Sequence, residues 1–406
     1  MRVSALCALV CAAACGSPGV TKSDGGLVFT TPPTWNKHVL AITQKQCVNC
    51  HSTGGIGSFP LETYAQAKPF AAAMKAATSE RRMPPWMPDP ACGGPFRDER
   101  RLTQDEIDTL AAWADMGAVE GNPADAPPAP TPLGQLERVD SSVSMPEAYT
   151  PDRTLNDDYR CFLVDPKLTS SKQLVGYDIS PGNRALVHHV ILYLVEKADA
   201  EAADKLDAKA GWTCFGGPNI KSGGAVGAWA PGSPAVSFPA GTGISMAAGK
   251  VLAMQVHYNN AGGPGTDLTS VKLMYATTPV SGAMLLPTAN DDFAIPPNAQ
   301  NYTHAKNFKN PLKLPLKVWG LLPHMHTKGQ RITMTATGSS GDTCLVDIPK
   351  WDFHWQQQYF RPTAYTFKAD EEMRLSCTWT NPTSRTVTWG EGTDDEMCFA
   401  YVYVTF

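Results

Sequence analysis

The sequence predicts a multidomain protein in which an all-α N-terminal domain is followed by two all-β sandwiches. Its 406 residues are too many for one compact core. Helical patterns dominate residues 35–122, whereas short β-branched and aromatic runs bounded by Gly, Pro, Asn and Asp recur from about residue 145. Roughly 260 residues of such strands exceed one sandwich. We therefore expect one sandwich over residues 145–280 and a second over 281–406.

The N-terminus has the pattern of an export signal. Arg2 precedes a short apolar run, and Ala12-Ala13-Ala14-Cys15 resembles a bacterial lipoprotein box, so residues 1–15 are predicted to be a lipoprotein-type signal with Cys15 lipidated. A plain secretory signal is the alternative. We expect an exported protein, a periplasmic or outer-surface lipoprotein of a bacterium, which contacts membrane only through that lipid. Small polar residues over 16–34 predict a tether.

The helical segment carries the sequence CVNCH. Its last helix is predicted from a capping box, Thr103 with Glu106, followed by an apolar face at helical spacing. C-x-x-C-H is the attachment pattern of c-type haem, because two thiols one helical turn apart can add to the vinyl groups of one haem. A thioredoxin-like CxxC redox pair would need a βαβ context, which is absent from the pattern. Over residues 35–122 the chain resembles a class I-like cytochrome c domain.

The haem assignment names four residues. Two cysteines would hold the haem, a histidine would be the proximal ligand and a methionine the distal one: Cys47, Cys50, His51 and Met83. Other candidates for the distal position remain open: Met87, Met74 and His38. The Pro/Ala-rich residues that follow predict a linker over 123–144.

The β-rich half concentrates the histidines. Three short clusters contain five of the nine: His188, His189, His257, His324 and His326. Side chains at i and i+2 of a strand share a face, so the last two form a side-by-side pair with Met325 pointing into a core. The first two are adjacent, so a regular strand would direct them to opposite faces unless it bulges or ends there.

These clusters predict metal sites. Imidazoles suit several transition metals, and a soft methionine sulfur such as that of Met397 favours copper. A zinc hydrolase is an alternative, because carboxylates that could act as a base lie close to Met397: Glu391, Asp394, Asp395 and Glu396. Two further alternatives are a non-catalytic electron-transfer or copper-binding protein, and a purely structural Met397.

The motifs LVHHVILYLV, QVHYNN, HMHTKG and DEMC, in that order, resemble the copper type II, ascorbate-dependent monooxygenases, the family of peptidylglycine and dopamine β-monooxygenases. The resemblance covers about residues 145–406 and implies two jelly-roll-like sandwiches across a cleft, with well-separated copper centres. It implies an electron-storing copper on His188, His189 and His257. The copper that meets dioxygen would be bound by the catalytic set His324, His326 and Met397.

The resemblance also implies a disulfide between Cys377 and Cys398, while the pairing of Cys92, Cys161, Cys214 and Cys344 stays open.

The sequence departs from the peptide-amidating members at the substrate site. Leu322 stands where they have an arginine that clamps a carboxylate, and Phe399 replaces an asparagine, although the family tyrosine is kept as Tyr401. These three residues are expected to line a more apolar pocket, which disfavours a C-terminal glycine substrate.

The sequence thus predicts an exported copper-dependent monooxygenase with two copper ions and one c-type haem. It would use O2 to hydroxylate a C–H bond of an unknown organic substrate. Electrons would come from an ascorbate-like donor or another cytochrome, relayed by the haem. A net charge of −4 leaves no basic footprint for nucleic acid.

Overall fold

The computed structural model describes residues 20–23, 26–53, 57–128, 135–231, 233–339 and 341–406. The chain divides into two compact units. Unit 1 comprises residues up to Pro84 together with Arg100–Thr131, and unit 2 comprises Pro85–Glu99 together with Pro132–Phe406. The predicted signal and Cys15 lie outside the described residues. In the part of the chain that is described, no helix has the length and apolar character needed to cross a membrane.

Unit 1 is built mainly from short helices. Its elements are strands β1 (Val20–Ser23) and β2 (Gly26–Phe29), a π-helical turn (Trp35–Val39), α1 (Leu40–Gln46), α2 (Tyr64–Ala67), a 3₁₀ turn (Lys68–Phe70), α3 (Ala71–Ser79), α4 (Gln104–Asp115) and a 3₁₀ turn (Pro123–Asp125). The predicted capping box is formed, since Thr103 Oγ1 accepts from the N–H of Glu106 and the Glu106 carboxylate accepts from the N–H of Thr103. The apolar face of α4 buries Ile107, Leu110 and Trp113.

The expectations of a structureless tether and of a wholly α-helical first domain both differ from the structure here. β1 and β2 form an antiparallel pair, and the N–H of Leu27 donates to the Asp108 carboxylate of α4 at 2.8 Å. Gly26 has φ +118°, and a Cβ there would lie 2.1 Å from that carboxylate, so the approach requires glycine. The small polar composition of this segment concealed the strands, which owe their order to packing against α4.

Unit 2 contains the two predicted β-sandwiches. The elements of the first are β3 (Ser141–Ser144), β4 (Asp157–Val164), β5 (Lys172–Ser180), β6 (Val187–Glu196), α5 (Lys197–Lys205), β7 (Trp212–Thr213), β8 (Ser222–Trp229), β9 (Val236–Ser237), β10 (Thr242–Met246), β11 (Lys250–Asn259), a 3₁₀ turn (Asn260–Gly262) and β12 (Ser270–Tyr275). One sheet has the order β7-β4-β11-β6-β8, and the facing strands run β10-β5-β12-β3. Between them lies a core that includes Phe162, Leu192 and Tyr258.

The second sandwich follows directly. Its strands are β13 (Ser281–Ala289), β14 (Ala294–Ile295), β15 (Tyr302–Lys309), β16 (Leu316–His324), β17 (Gly329–Thr337), β18 (Thr343–Ile348), β19 (Tyr359–Phe367), β20 (Glu372–Trp379), β21 (Val387–Thr388) and β22 (Phe399–Thr405). The sheet β15-β20-β17-β18 packs over β19-β16-β22-β13. Parallel pairing of β13 with β10 joins the outer sheets of both sandwiches into one continuous sheet. This shared sheet fixes the two histidine-bearing halves in one body.

Residues 85–99 do not belong to the helical domain in which the sequence placed them. They lie in unit 2, where a disulfide joins Cys92 to Cys344 and the Arg97 guanidinium donates to the carbonyls of Ser237 and Phe238. The last four residues of the expected linker that are described, Ser141–Ser144, form β3 and pair with β12. Both segments are ordered by partners distant in sequence.

The described residues contain three disulfides. Cys377–Cys398 is the pair implied by the resemblance, and Cys92–Cys344 and Cys161–Cys214 complete the set. Each joins segments within unit 2. Cys47 and Cys50 lie outside these three bonds.

Candidate metal centres

A β-bulge resolves the problem of two adjacent histidines on one strand. In the pairing of β6 with β11, His189 lies opposite His257 and Val187 lies opposite Tyr258. His188 is therefore an extra residue that has no cross-strand partner in β11. An extra residue in one strand of an antiparallel pair turns its side chain out of the regular alternation. The bulge therefore brings the imidazoles of His188 and His189 to the same side as His257.

The three imidazoles converge through their Nδ1 atoms. The Nδ1 separations are 3.3 Å for His188–His189, 3.2 Å for His188–His257 and 3.4 Å for His189–His257. Three nitrogens bound to one ion at roughly 2.0–2.1 Å in a trigonal arrangement would lie about 3.5 Å apart. The three residues form a group able to bind a metal ion, and their donor set fits copper.

Asp157 determines the tautomer of His257. Nε2–H of His257 donates to Asp157 Oδ1 at 2.9 Å, which places the proton on Nε2 and leaves Nδ1 as a free lone pair. Burial alone would raise the pKa of Asp157, but hydrogen bonds from His257 and Thr393 lower it to about 2. The carboxylate is therefore ionised over the whole range in which the protein would bind metal.

Burial keeps the imidazoles of this set neutral. It lowers the pKa of His188 to about 3, and it lowers that of His189 far below the ordinary range, with smaller contributions from the neighbouring histidines. The pKa of His257 is also lowered by burial, although Asp157 partly offsets the effect. Neutral imidazole is the form that binds metals. The set is thus preorganised as three neutral donors.

The second set lies at the end of β16. His324 and His326 have ring centres 5.1 Å apart, and Met325 between them is fully buried in the core of the second sandwich. Nδ1 of His324 donates to Gln356 Oε1 at 2.6 Å, and Nδ1 of His326 donates to the Asp395 carbonyl at 3.2 Å. Each imidazole therefore offers Nε2, the opposite nitrogen from the one used in the first set.

Burial holds this second set neutral as well. It lowers the pKa of His324 to about 4 and that of His326 well below its ordinary value. Met397 is 9% exposed and lines the same cavity as His324. Two imidazoles and one thioether are a soft donor set that fits copper.

Glu396 binds the turn that carries His326. Its carboxylate accepts from the N–H groups of His326 and Lys328 at 3.0 and 2.6 Å and from Nε1–H of Trp379 at 3.0 Å. Burial raises its pKa to about 7 despite these bonds. The carboxylate is fully buried and committed to three donors, so it serves the architecture of the turn rather than as a base for a hydrolase.

A cavity of about 380 Å³ lies against both sets. The residues expected to form an apolar pocket, Leu322, Phe399 and Tyr401, line it together with His189 and His324. One carboxylate, that of Glu391, also lines this cavity, and burial raises its pKa. The wall thus combines apolar side chains with one acidic group and several uncharged polar groups, among them Gln255 and Gln357.

The two sets are closer than the resemblance implied. The ring centres of His189 and His324 are 6.2 Å apart, and Phe353 contacts one histidine of each set. Its ring stacks on His188 at 4.5 Å and meets His326 edge-on at 6.0 Å. The parallel β10–β13 joint and the segment containing Phe353 draw the sandwiches together, which no local sequence pattern encodes.

Four supporting residues were not recognised in the sequence as parts of these centres: Asp157, Phe353, Gln356 and Thr393. Each contacts a ligand histidine, or the residue that orients one, across a long sequence separation. Asp157 lies opposite Asn259 at the start of a strand, two residues from the register of His257. The only sequence signal for its role is that Asp157 lies at the start of a strand that pairs with β11, two positions before the residue opposite His257.

In unit 1 the histidine of the CVNCH motif is held by Phe59. Nδ1 of His51 donates to the Phe59 carbonyl at 2.9 Å, and the Phe59 ring stacks on Phe70 at 3.8 Å. Cys47 lies beside the core of this unit, and burial raises the pKa of its thiol to about 12. His51 therefore presents Nε2 with its tautomer already set, as an axial ligand requires.

Two of the alternative distal haem ligands, Met74 and Met87, have other contacts in the structure. Met74 is buried in the core of unit 1. Met87 lies in unit 2, where its sulfur accepts from the N–H of Asp352 at 3.2 Å. His38 Nδ1 accepts from the N–H of Thr34 at 3.0 Å, and Met83 is half-buried at the end of the unit's first segment.

Two family matches define the class of protein to which these centres belong. Residues 141–263 match the N-terminal domain, and residues 280–404 the C-terminal domain, of the copper type II ascorbate-dependent monooxygenases. Together these matches cover more than half of the chain, and the chain belongs to that family. Both candidate metal centres lie within the matched residues.

The chain is also similar to a curated protein. The chain is 24% identical over 321 residues to a tyramine beta-hydroxylase of Caenorhabditis briggsae, covering 71% of this chain and 52% of the relative. The chain thus spans about half the length of the curated relative it matches.

Solved structures give only distant likeness. The major capsid protein P2 of bacteriophage PM2 is 12% identical over 65% of this chain and 97% of its own, with a TM-score of 0.28. A peptide-N(4)-(N-acetyl-β-D-glucosaminyl) asparagine amidase is 9% identical over 65% of this chain and 95% of its own, also with a TM-score of 0.28. Scores this low carry no argument about fold or function.

Proposed function

We propose that unit 2 is a copper-dependent monooxygenase that hydroxylates a C–H bond of an organic substrate. The reaction consumes the substrate, one O2, two electrons and two protons, and yields the alcohol and water. Copper supplies the one-electron chemistry that activates dioxygen. The observation that carries the proposal is the group of three neutral imidazoles, His188, His189 and His257, beside a cavity that His189, His324 and Met397 line.

The chain's own residues prepare the site. Asp157 keeps the proton on Nε2 of His257, so that Nδ1 is available as a donor. Gln356 and the Asp395 carbonyl hold protons on Nδ1 of His324 and His326, so that their Nε2 atoms are available. Leu322 and Phe399 place apolar side chains in the cavity wall, which would limit side reactions with water at a reactive centre.

We infer that the substrate is an amine with an apolar body. The support is the carboxylate of Glu391, the single acidic group among the residues that line the cavity, since a partly buried carboxylate gains from a cationic partner. The relative's name, tyramine beta-hydroxylase, fits the same chemistry. Leu322 offers no charge to a carboxylate substrate.

The test uses the full-length protein loaded with copper, with ascorbate as reductant and ¹⁸O₂. Tyramine and its uncharged analogue 4-ethylphenol are the two probes, and products are identified by mass spectrometry. A product with one labelled oxygen, lost in His324→Ala, supports the enzyme. Glu391→Gln should remove the preference for tyramine over 4-ethylphenol. Copper-loaded protein that takes up no O2 with either probe or across a broad substrate panel would point to the non-catalytic copper-binding alternative. Purified protein containing zinc alone would point to a hydrolase.

We also propose that unit 1 carries one covalently attached c-type haem and passes electrons to unit 2. Cys47 and Cys50 would each add an S–H across a vinyl group to form a thioether, with no atom lost and no redox change. His51 would be the proximal ligand and Met83 the distal one. The support is the CVNCH spacing together with the His51–Phe59 hydrogen bond, which leaves Nε2 of His51 available.

Intact mass and the alkaline pyridine spectrum of protein expressed with a haem-maturation system test this assignment. We expect a mass increase of one haem that survives denaturation and is lost in the Cys47→Ser/Cys50→Ser variant. Met83→Ala should abolish the absorption band of a sulfur–iron ligand while the haem stays attached. Protein that matures without added mass would contradict the proposal.

Export as a lipoprotein anchored through Cys15 remains a proposal. Its support is the Ala-Ala-Ala-Cys context and the three disulfides, which persist in oxidising compartments. Fractionation of cells fed radiolabelled palmitate, with Cys15→Ser as the control, tests both the export of the protein and the lipidation of Cys15.

A further inference from the structure

The imidazole of His257 is held by two residues of one strand. Asp157 accepts its Nε2–H at 2.9 Å, and the ring of Tyr159 stacks on it with centres 4.1 Å apart and planes 12° from parallel. Both residues belong to β4, which pairs with β11 beside His257. These two contacts set the tilt and the tautomer of the ring.

Both residues are held in turn by the second sandwich. Thr393 donates to Asp157 twice, through Oγ1–H at 2.7 Å and through its backbone N–H at 3.3 Å. The Tyr159 hydroxyl donates to the Glu391 carbonyl at 2.5 Å. The support of His257 therefore depends on residues that precede β22, more than a hundred positions away in sequence.

The same stretch continues into the other centre. The Asp395 carbonyl accepts from Nδ1 of His326, and the Glu396 carboxylate accepts from its backbone N–H. Met397 follows immediately. We call Glu391–Met397 the shared segment, because its first half supports the ligands of one centre and its second half those of the other.

We propose that Thr393 is a positioning residue of the His188–His189–His257 centre, acting through Asp157, and that the shared segment links the geometry of the two centres. A hydroxyl proton donated to a carboxylate restrains its direction as well as its charge. Loss of the Thr393 hydroxyl leaves Asp157 with only the longer bond from the Thr393 N–H, so the carboxylate is less restrained against His257 and the Nδ1 triangle loosens. The inference rests on the proposed copper site, because the triangle is what the restraint serves.

The test substitutes Thr393→Val, which preserves shape, removes the hydroxyl donor and keeps the backbone N–H. Copper(II) affinity of the first centre is measured by chelator competition in full-length protein whose second centre is disabled by His324→Ala and His326→Ala. We expect an affinity about three- to tenfold weaker, equivalent to roughly one ordinary hydrogen bond, because the Thr393 N–H still donates to Asp157. The copper(II) paramagnetic resonance spectrum should change as well. Thr393→Ser keeps the hydroxyl and should retain the original affinity. Thr388→Val, at an exposed threonine of β21, is the matched control.

A double-mutant cycle separates positioning from general damage. Asp157→Ala should weaken binding by itself, and Thr393→Val should then add nothing further, since its partner is gone. An additive loss, or equal affinity in Thr393→Val and Thr388→Val, overturns the inference. If the protein with an intact first centre binds no copper, the proposed function fails instead, so the two failures are distinguishable.

Discussion

The side-chain oxygen of Gln356 accepts a hydrogen bond from Nδ1 of His324 over 2.6 Å, and the amide of the same side chain donates to the Phe353 carbonyl at 2.9 Å. The backbone carbonyl of Gln356 accepts from Ser233 Oγ in the first sandwich. One residue thus orients an imidazole of the second centre while it is tied to the half that carries the first. The centres are built by contacts between the sandwiches as much as within them.

Gln356→Leu should weaken copper binding at the second centre by about 10- to 100-fold, the usual effect of losing the partner that orients a ligand histidine. Gln356→Glu keeps an acceptor for Nδ1–H and should retain most of the affinity. Chelator competition in a variant whose first centre is disabled by His188→Ala and His189→Ala measures the effect. Equal affinities in the leucine and glutamate variants would show that the hydrogen bond has no orienting role.

Phe353→Leu should lower the free energy of unfolding of the metal-free protein by about 1 kcal/mol, because the leucine keeps apolar volume but loses the stacked contact with His188. The reaction should also become less coupled, with more O2 consumed per product, since the ring packs against one histidine of each set. His354→Ala, at an exposed neighbour, is the control. Thermal unfolding and an oxygen-electrode assay with product quantification provide the measurements.

Glu391 should make the metal-free protein less stable as pH rises. Burial raises its pKa above the ordinary 4.5, so the folded state binds this proton more tightly than the unfolded state. The stability that this preference contributes is complete below pH 4.5 and is lost as pH rises through the folded-state value. Glu391→Gln should therefore match the parent at pH 4 and exceed its melting temperature at pH 7.

Melting temperatures of the parent and the Glu391→Gln variant across this range measure the effect. Glu137→Gln, at an exposed site, should give no comparable pH-dependent difference. A constant offset between Glu391→Gln and the parent at all pH values would contradict the linkage.

Replacement of Cys377 and Cys398 by serine should cost about 3 kcal/mol of stability, the chain-entropy contribution expected for a loop of this length. The bond also anchors the residue that follows Met397, so the second centre should lose copper affinity while the first retains it. Chemical denaturation and single-centre copper titration report the two effects separately. Loss of affinity at both centres would mean that the bond stabilises the whole of unit 2 rather than the strand carrying Met397.

Much of the candidate site could be predicted from short motifs. The HMH pair predicts a shared face because strands alternate with period two, and the family resemblance supplied His257, Met397 and the Cys377–Cys398 bond. The supporting residues could not be found this way. Asp157 and Thr393 are separated by 236 positions, and their hydrogen bond exists only because two sandwiches share a sheet.

The N-terminal residues likewise show which features can be predicted from local sequence and which cannot. The capping box of α4 and its apolar face follow from local chemistry, and the structure confirms both. The strands of residues 20–29 and the placement of residues 85–99 depend instead on distant partners, Asp108 for the one and Cys344 for the other. Weak local propensity gives way to such tertiary contacts.

By itself the sequence determined the helix α4, the two β-sandwiches, the family, and the histidines and methionine that are candidates for the centres. These depend on periodicity and motif order, which are local or inherited properties. Only the tertiary structure decided how His188 and His189 reach one point, which nitrogen each imidazole offers, and how near the two centres lie. A bulge, a tautomer and an inter-sandwich distance are fixed by hydrogen bonds between segments far apart in the chain, and those partners meet only on folding.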